Sequence, residues 1–139
     1  MLRSDFATFH RIPTRWDDND VYGHVNNVQY YSFFDTAVNG WLMQATGVDI
    51  RRLEAIGVVA ETSCRFLAQL SFPDVLDVGI AVERLGTSSI VYRLAVFREG
   101  EDVARAEGRF VHVYVDSAHR RPVSVPEPIR SAVETLVRV

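Results

Sequence analysis

The spacing of hydrophobic and polar positions changes along the chain. Residues 5–16 mix aromatic, β-branched and polar residues in rough alternation, which predicts a strand that ends near Pro13. From Val28 to about Thr46, apolar residues recur every three or four positions, which predicts a helix with a broad apolar stripe. The predicted stripe consists of Val28, Tyr31, Phe34, Ala37 or Val38, Trp41, Leu42 and Ala45.

This helix is expected to lie at the centre of the fold. Phe33 and Met43 add apolar residues outside the stripe, so we expect the helix to be covered on more than one side. Asn26 or Asn27 is expected to cap its start, and Gly47 is expected to end it.

Four β-like segments follow the helix, joined by short turns that carry Gly, Pro, Asp or Ser. The segments span residues 58–70, 74–85, 88–98 and 102–115. Short connections predict a mostly antiparallel sheet. A short closing helix is predicted over residues 126–139. This order predicts a single α+β domain over residues 1–139, in which one sheet wraps one long helix.

Composition narrows the class of protein. A chain of 139 residues with 47% hydrophobic and 24% charged residues is typical of one soluble globular domain. A net charge of −3 argues against nucleic-acid binding as the main function, because such binding needs a basic surface. The single cysteine, Cys64, has no partner for an internal disulfide, and no run of about 18 apolar residues appears. We therefore expect a cytoplasmic protein that binds neither nucleic acid nor a membrane.

Candidate chemistry lies in the loop of residues 17–27, directly before the apolar helix. A helix start offers unpaired N–H groups and partial positive charge, which can hold a carbonyl oxygen as negative charge develops on it. A nearby carboxylate can attack that carbon or activate a water molecule. The loop either shapes a turn and caps the helix, or forms a site. The number of its Asp and Asn residues, together with Gly23 and His24, favours a site: they are Asp17, Asp18, Asn19, Asp20, Asn26 and Asn27.

Residues 15–37 read RWDDNDVYGHVNNVQYYSFFDTA. This string resembles the D-x-D-x-x-G-H-V-N-N-x-x-Y motif of the 4-hydroxybenzoyl-CoA thioesterase branch of hot-dog-fold proteins, which includes many acyl-CoA thioesterases. The order of strands is similar to that family over nearly the whole chain. The resemblance implies a hot-dog fold, hydrolysis of an acyl-CoA without a cofactor, and a homodimer or homotetramer with its active site between protomers.

The resemblance also implies roles for individual residues. Asp20 matches the catalytic aspartate and would serve as nucleophile or general base toward the thioester carbonyl. Asn27 would place its backbone N–H where the family polarises that carbonyl, and His24 matches a position that lines the pocket. Val38 stands where many members carry Arg, which leaves the contact of that Arg absent here. The positions expected to contribute to substrate binding are Gly23, Asn26, Tyr30 and Asp35.

Basic and hydroxyl residues are candidates for the phosphates and pantetheine of coenzyme A. Each of the basic residues also suits a solvated surface position. The segment of residues 119–121, His-Arg-Arg, is the strongest cluster, and residues 87–89 form a hydroxyl-rich turn. The candidates are Arg65, Arg84, Arg93, His119, Arg120, Arg121, Thr87, Ser88 and Ser89.

Other chemistries have weaker support. The four histidines show no close ligand spacing and there is no Cys pair, which argues against a metal site. Cys64 lies in an apolar strand, where a lone Cys usually acts as a small hydrophobe, and no G-x-S-x-G sequence is present. A non-hydrolytic acyl-thioester binding module stays an alternative, although a carboxylate beside an acyl carbonyl is costly for passive binding. A dehydratase on this fold would use a His and an Asp or Glu elsewhere.

Overall fold

The computed structural model of the protein describes residues 1–137. A long helix follows the first strand, and four strands and a second helix follow it, in the order that the residue pattern predicts. The elements are β1 (Thr8–Pro13), α1 (Asn27–Thr46), β2 (Ala55–Phe66), β3 (Val75–Leu85), β4 (Ser89–Arg98), β5 (Ala106–Asp116) and α2 (Glu127–Glu134).

The five strands form one antiparallel sheet in the order β1-β3-β4-β5-β2. Strands β1 and β2 are therefore its edges. β2 runs along β5 from the Ala55–Asp116 pair to the Phe66–Ala106 pair, with a bulge between Val59 and Glu61. The predicted α+β architecture with an antiparallel sheet around one long helix is confirmed.

The main core lies between α1 and one face of the sheet. Strand residues such as Ile80, Leu94 and Phe110 point toward the helix and are almost fully buried. Burying these apolar side chains is the largest favourable term for the fold. The residues that α1 buries are Tyr30, Phe33, Phe34, Ala37, Val38, Trp41 and Leu42.

The predicted stripe of α1 is wrong at both ends. Val28 is 62% exposed and Tyr31 is 36% exposed, whereas Tyr30 and Phe33 are buried; Ala45 is also exposed. Five of the seven residues from 28 to 34 are apolar or aromatic, so their periodicity does not decide which side faces the sheet. Contacts distant in the sequence decide it instead.

Both ends of α1 are capped as the sequence predicts. The Asn26 side chain accepts a hydrogen bond from the Val28 N–H at 3.2 Å. At the other end, Gly47 has φ +70°, a left-handed conformation that glycine adopts at little cost. The cap at Asn26 fixes where the helix begins, and thus where its first free N–H group lies.

Several predicted boundaries shift in the structure. β2 ends at Phe66 rather than at residue 70, because the N–H groups of Leu67 and Ala68 both turn to the Arg105 carbonyl oxygen. α2 ends at Glu134, after which the chain forms a bridge beside β3 through Val137. The predicted closing helix extended over Arg138 and Val139, which lie outside the described residues.

The other face of the sheet carries a smaller apolar cluster. Phe6 from the first residues of the chain packs edge-to-face on Phe97 of β4, with ring centroids 5.9 Å apart. Ala95 and Ala104 join this cluster. The face of β4 that carries Ala95 and Phe97 is thus largely buried as well, although α1 covers only the opposite face of the sheet.

Candidate active site

The Asp-rich loop contains carboxylates in different environments. Asp18 is only 1% exposed, and its carboxylate accepts hydrogen bonds from the Arg15 backbone N–H at 2.7 Å and the Arg15 guanidinium at 2.9 Å. The Asp18 carbonyl oxygen accepts the Asn26 N–H at 2.8 Å. Asp18 therefore shapes the loop. Asp17 is exposed, which leaves Asp20 as the carboxylate in the pocket.

Asp20 begins a tight turn. Its N–H donates to the His24 carbonyl oxygen at 2.8 Å, and its own carbonyl oxygen accepts the Gly23 N–H at 3.1 Å. The Asp20 Oδ1 atom accepts the Tyr22 N–H at 2.8 Å. Gly23 has φ +82°, so the turn uses the conformational freedom expected of this glycine. The turn fixes one carboxylate oxygen, and among the described residues no donor is bound to the other.

A second segment, residues 70–72, holds this loop in place. The Ser71 hydroxyl donates to the Gly23 carbonyl oxygen at 2.6 Å. The Asn19 side-chain oxygen accepts the Phe72 N–H at 3.0 Å, and the Val25 N–H donates to the Leu70 carbonyl oxygen at 2.8 Å. The sequence predicted only a chain reversal here. The residue types gave no signal that this reversal supports the loop, because the contact spans about 50 residues of chain.

The start of α1 faces the same space as Asp20. Asn26 binds the second and third N–H groups of the helix through its side chain and its carbonyl oxygen, at 3.2 Å to Val28 and 2.9 Å to Gln29. A helix N–H normally donates to the carbonyl oxygen four residues earlier, and no helical residue lies that far before Asn27. The Asn27 N–H therefore has no acceptor within the helix. It adds to the positive end of a 20-residue helix dipole. A carbonyl oxygen bound there would be polarised.

Asp20 and Asn27 line one pocket of about 540 Å³. The side formed by the loop and helix is completed by Tyr22, His24, Val25 and Tyr30. Its opposite wall is residues 66–69, which the sequence analysis did not connect with the site. Thus the structure brings together the three predicted catalytic residues, Asp20, His24 and Asn27, with Tyr30.

Arg105 holds the opposite wall. Its carbonyl oxygen accepts the Leu67 and Ala68 N–H groups at 2.9 and 3.0 Å, and its guanidinium donates to the Gln69 carbonyl oxygen at 2.6 Å. The same guanidinium donates hydrogen bonds to the Glu101 carboxylate. Together with Arg98, it lowers the pKa of the Glu101 carboxyl to about 2. The wall is therefore fixed by a charge-assisted network rather than by the sheet ladder.

Tyr30 lies behind the pocket. Its ring packs edge-to-face on Phe66 at 5.0 Å and on Phe33 at 5.9 Å. Burial raises the pKa of Tyr30 to about 12, and it raises the pKa of the Cys64 thiol to about 11. Both groups are therefore protonated near neutral pH, and Cys64 has no thiolate character, in line with its predicted role as a small hydrophobe.

The remaining predicted substrate-binding residues lie outside this pocket. Asp35 is exposed on α1, where its Oδ1 accepts the Asn39 amide at 3.2 Å. Arg65 is exposed on β2, next to the pocket residue Phe66. The others lie at the far end of the sheet: they are Ser88 just before β4, Ser89 at the first position of β4, and Arg120 after β5.

The register of β5 gives the separation between the two ends. Phe66 pairs with Ala106 and Ser89 pairs with Val113, which are seven residues apart on the same strand. At about 3.3 Å per residue, this is roughly 23 Å. Within one protomer, Ser88, Ser89 and Arg120 therefore do not reach a group bound at Asp20.

Two further observations concern other classes of function. Among residues 1–137, no three His, Cys, Asp or Glu side chains are grouped so as to hold a metal ion. None of the helices in the described part of the chain has the length and apolar composition of a membrane span.

Known proteins are similar to this chain in sequence and in architecture. Residues 14–133 match the family model of the thioesterase-like superfamily. The crystal structure of the PA5185 protein from Pseudomonas aeruginosa is similar, with 50% identity and a TM-score of 0.95 over 98% of this chain and 95% of that one. The PA2801 protein of P. aeruginosa, a proposed thioesterase, is 32% identical, with a TM-score of 0.83 over 92% and 98% of the two chains. The gentisyl-coenzyme A thioesterase BH1999 shares the fold, with 21% identity and a TM-score of 0.80 over 91% and 99%.

Proposed function

Because the chain belongs to the thioesterase-like superfamily, we propose that it hydrolyses an acyl-CoA or a related acyl thioester, with Asp20 as the essential carboxylate. Its fold is the hot-dog fold that the loop motif predicts. Membership in the superfamily supports thioester hydrolysis as the class of reaction. The observation that carries the finer proposal is that the Asp20 carboxylate and the first N–H of α1 share one pocket.

In the proposed mechanism, the thioester carbonyl oxygen binds at the Asn27 N–H. The oxygen gains negative charge as the carbonyl carbon becomes tetrahedral, and an N–H at a helix start stabilises that charge more than it stabilises the neutral carbonyl. The N–H is fixed in position by the Asn26 cap. Stabilisation that grows toward the transition state raises the rate of the chemical step.

Asp20 then acts in one of two ways. As a nucleophile, a carboxylate oxygen attacks the carbonyl carbon, the C–S bond breaks, and the thiolate leaves and takes a proton from solvent. Water then cleaves the resulting anhydride to the free acid and restores the carboxylate. As a general base, Asp20 takes a proton from water as the water oxygen adds to the carbon, the C–S bond breaks, and Asp20 gives the proton to the leaving thiolate. In both routes Oδ1 stays bound to the Tyr22 N–H and the other oxygen reacts.

The pocket walls suit an acyl group. Tyr30, Phe66 and Leu67 offer aromatic and aliphatic surface beside the carboxylate. We assign His24 and Gly23 to the pocket rim, and Asn26 to helix capping that positions the Asn27 N–H. Asp35 and Arg65 lie outside the pocket in one protomer and are proposed to contribute where a partner subunit adjoins it.

We propose that the enzyme is a homodimer, and that pairs of dimers form a homotetramer. β2 is a 12-residue edge strand, and such an edge offers unpaired N–H and C=O groups to a second chain. Antiparallel pairing of two β2 strands near the bulge would bring the partner subunit's Ala55 beside Phe66. The far end of the partner's sheet, with its Ser88, Ser89 and Arg120, would then lie at the same side as Asp20. This arrangement supports a site between protomers that holds the coenzyme A phosphates.

The test is thiol release from short, long, branched and aromatic acyl-CoAs by the parent protein, Asp20→Asn and Asp17→Asn. The amide introduced by Asp20→Asn keeps an oxygen that accepts the Tyr22 N–H, so the turn should survive. We expect kcat of Asp20→Asn to fall at least about 100-fold, the usual effect of removing a catalytic base. Asp17→Asn is the matched control because Asp17 is exposed in the same loop, and it should retain the parent's kcat.

Two results would overturn parts of this proposal. Parent-like turnover by Asp20→Asn would remove Asp20 from the chemistry. Saturable acyl-CoA binding by the parent without hydrolysis of any substrate would favour the alternative, a non-hydrolytic acyl-thioester binding module.

A further inference from the structure

The wall opposite Asp20 is held by contacts with a single residue. Residues 67–69 of this wall are all exposed, so burial does little to fix them. Within the described part of the chain, every hydrogen bond that residues 67–69 make goes to Arg105. The next residue, Leu70, is only 1% exposed and belongs to the main core. The position of the wall between β2 and Leu70 therefore depends on Arg105.

The Arg105 guanidinium joins the wall to a carboxylate. Its Nη1 atom donates to the Gln69 carbonyl oxygen at 2.6 Å. Its Nε and Nη2 atoms donate to the two oxygens of the Glu101 carboxylate at 2.7 and 2.9 Å. Arg98 Nε also donates to this carboxylate, at 3.0 Å. A guanidinium bound at both oxygens of a carboxylate has a fixed direction, so its remaining amino group fixes Gln69.

The loop that carries Asp20 has anchors that do not involve Arg105. The Ser71 hydroxyl donates to the Gly23 carbonyl oxygen at 2.6 Å. The Asp20 N–H donates to the His24 carbonyl oxygen at 2.8 Å, which closes the turn on itself. A change in the guanidinium should therefore loosen the wall and leave the reacting groups in place.

We propose that Arg105 is a positioning residue for the acyl group: by fixing the wall of residues 66–69, its guanidinium determines which acyl groups the Asp20 pocket accepts. This inference rests on the proposed function, since it takes the ligand to be an acyl thioester. Phe66 and Leu67 give the wall its apolar surface. A fixed surface binds a matching group without the cost of ordering the wall. Arg105 is not among the residues that line the pocket, so its loss should weaken acyl binding and leave the chemical step unchanged.

Calorimetry can separate the acyl group from the rest of the ligand. The probes are free coenzyme A and two ketone analogues of acyl-CoA, one with a phenyl and one with a hexyl group. In both analogues a methylene group separates the sulfur from the carbonyl, so neither is hydrolysed. The parent should bind at least one analogue more tightly than coenzyme A. In Arg105→Lys, that analogue should lose at least about tenfold in affinity while coenzyme A binds as before, because an ammonium group cannot bridge Gln69 and Glu101 as the planar guanidinium does.

Thiol release from the acyl-CoA that the parent hydrolyses best is the second measurement. Arg105→Lys should raise KM at least about tenfold and keep kcat within about twofold, whereas partial unfolding would lower kcat and leave KM unchanged. Arg109→Lys is the matched control. Arg109 is also ion-paired and lies four residues further along the chain, but its partners Glu61 and Glu83 do not line the pocket. It should keep the parent's KM and kcat.

Hydrogen exchange locates the effect in the wall. The amide hydrogens of Leu67 and Ala68 should exchange at least about tenfold faster in Arg105→Lys, because the residue that accepts them is less firmly held. The amide hydrogen of Tyr22, which Asp20 accepts, should exchange as in the parent. Glu101→Gln is a second variant that weakens the fixed direction of the guanidinium, and it should shift the same affinities in the same direction.

Three results would overturn the proposal. The first is that the parent binds neither analogue more tightly than coenzyme A, and the second is that Arg105→Lys and Glu101→Gln bind both analogues as the parent does. The third is that the affinity for coenzyme A falls as much as that for the analogue, because the effect would then not concern the acyl group.

The binding measurements also separate this proposal from the proposed hydrolysis. Weaker analogue binding by Arg105→Lys, with no thiol release by the parent from any substrate, would support the role of Arg105 and remove the hydrolysis. Thiol release by the parent, with the same KM for Arg105→Lys and the same affinity for both analogues, would do the reverse.

Discussion

At the scale of single residues, the loop before α1 shows how environment assigns different roles to the same side chain. Asp18 is enclosed and bound by Arg15, whereas Asp20 faces the pocket with one oxygen bound to the Tyr22 N–H. The motif contains both carboxylates, but only burial separates the one that stabilises the loop from the one that is available to a substrate.

Asp18→Ala should destabilise the protein by about 1–3 kcal/mol. The substitution removes the buried acceptor of the Arg15 N–H, and a buried donor without its partner costs free energy in this range. Urea unfolding followed by circular dichroism measures the change. Asp17→Ala, an exposed neighbour, should stay within about 0.5 kcal/mol of the parent. Equal stability of the two variants would mean that Asp18 does not hold the loop.

His112 should make stability depend on pH. Its folded-state pKa of about 4 lies below the ordinary value of 6.5, so the unfolded chain takes up the proton more readily than the folded one. The free energy of unfolding therefore suffers no penalty from His112 above pH 6.5. It decreases as the pH falls from 6.5 toward 4, by at most about 3 kcal/mol. Urea unfolding at pH 7, 5.5 and 4 should show a steeper loss for the parent than for His112→Phe. The carboxylates titrate in both proteins, so parallel curves would contradict the prediction.

At the scale of elements, one glycine sets the distance between helix and sheet. A Cβ atom on Gly108 of β5 would collide with the Phe34 ring of α1 and would lie 2.8 Å from the Ser63 carbonyl oxygen. The Phe34 side chain is fully buried in the main core. The helix therefore packs on β5 at a point where no side chain intervenes.

Gly108→Ala should cost about 1–3 kcal/mol, the usual range for overpacking a core. Phe34→Leu removes the ring that the new methyl meets, so the double variant should be more stable than the sum of the two single changes predicts. We expect this coupling energy to be only about 1 kcal/mol. Phe34→Leu removes the clash with the ring, but the clash of the new methyl with the Ser63 carbonyl oxygen remains. Urea unfolding of all four proteins measures it, and strict additivity would argue against this contact.

Sequence patterns predicted the elements well where the signal is local. The start and end of α1 followed from Asn26 and Gly47, whose side-chain and backbone preferences act within a few residues. The sequence did not predict which side of the first helical turns is buried. Tyr30 lies on the buried side, where its ring packs on Phe66, a residue distant in the sequence. Local periodicity carries no information about such a contact.

The same limit applies to the candidate site. The loop motif brought Asp20, Gly23 and Asn27 into one expected site, and the structure places them around one turn and one helix start. The wall of residues 66–69 and the Arg105 contacts that hold it were not predicted. Polar backbone contacts between distant segments leave no pattern of residue types.

At the scale of the whole molecule, the two ends of the sheet hold different parts of the expected site. Asp20 and its pocket lie at the Phe66 end of β2, and three of the candidate coenzyme A-binding residues, Ser88, Ser89 and Arg120, lie near its Ala55 end. One chain does not join them, since the strand itself keeps them roughly 23 Å apart. A two-fold axis across β2 would bring the Ala55 end of the partner subunit beside the Phe66 end of this one. The proposed dimer would therefore complete the site, and its formation would affect function as well as stability.

The variant Ala60→Lys tests this axis. Ala60 is exposed and lies at the bulge of β2, so one protomer should tolerate the change, but a two-fold axis there would set two ammonium groups against each other. Light scattering should show the parent at a multiple of the 15.7 kDa chain mass, and the variant's dimer dissociation constant should rise at least about tenfold.

The matched control is Ala7→Lys, which adds the same charge to an exposed alanine just before β1, the opposite edge of the sheet. It should leave both mass and turnover unchanged. Thiol release by Ala60→Lys should fall as the protein is diluted and its dimer dissociates, because the proposed site needs both subunits. A monomeric Ala60→Lys with the parent's turnover would place the whole site in one chain, and a variant with the parent's mass would place the interface elsewhere than β2.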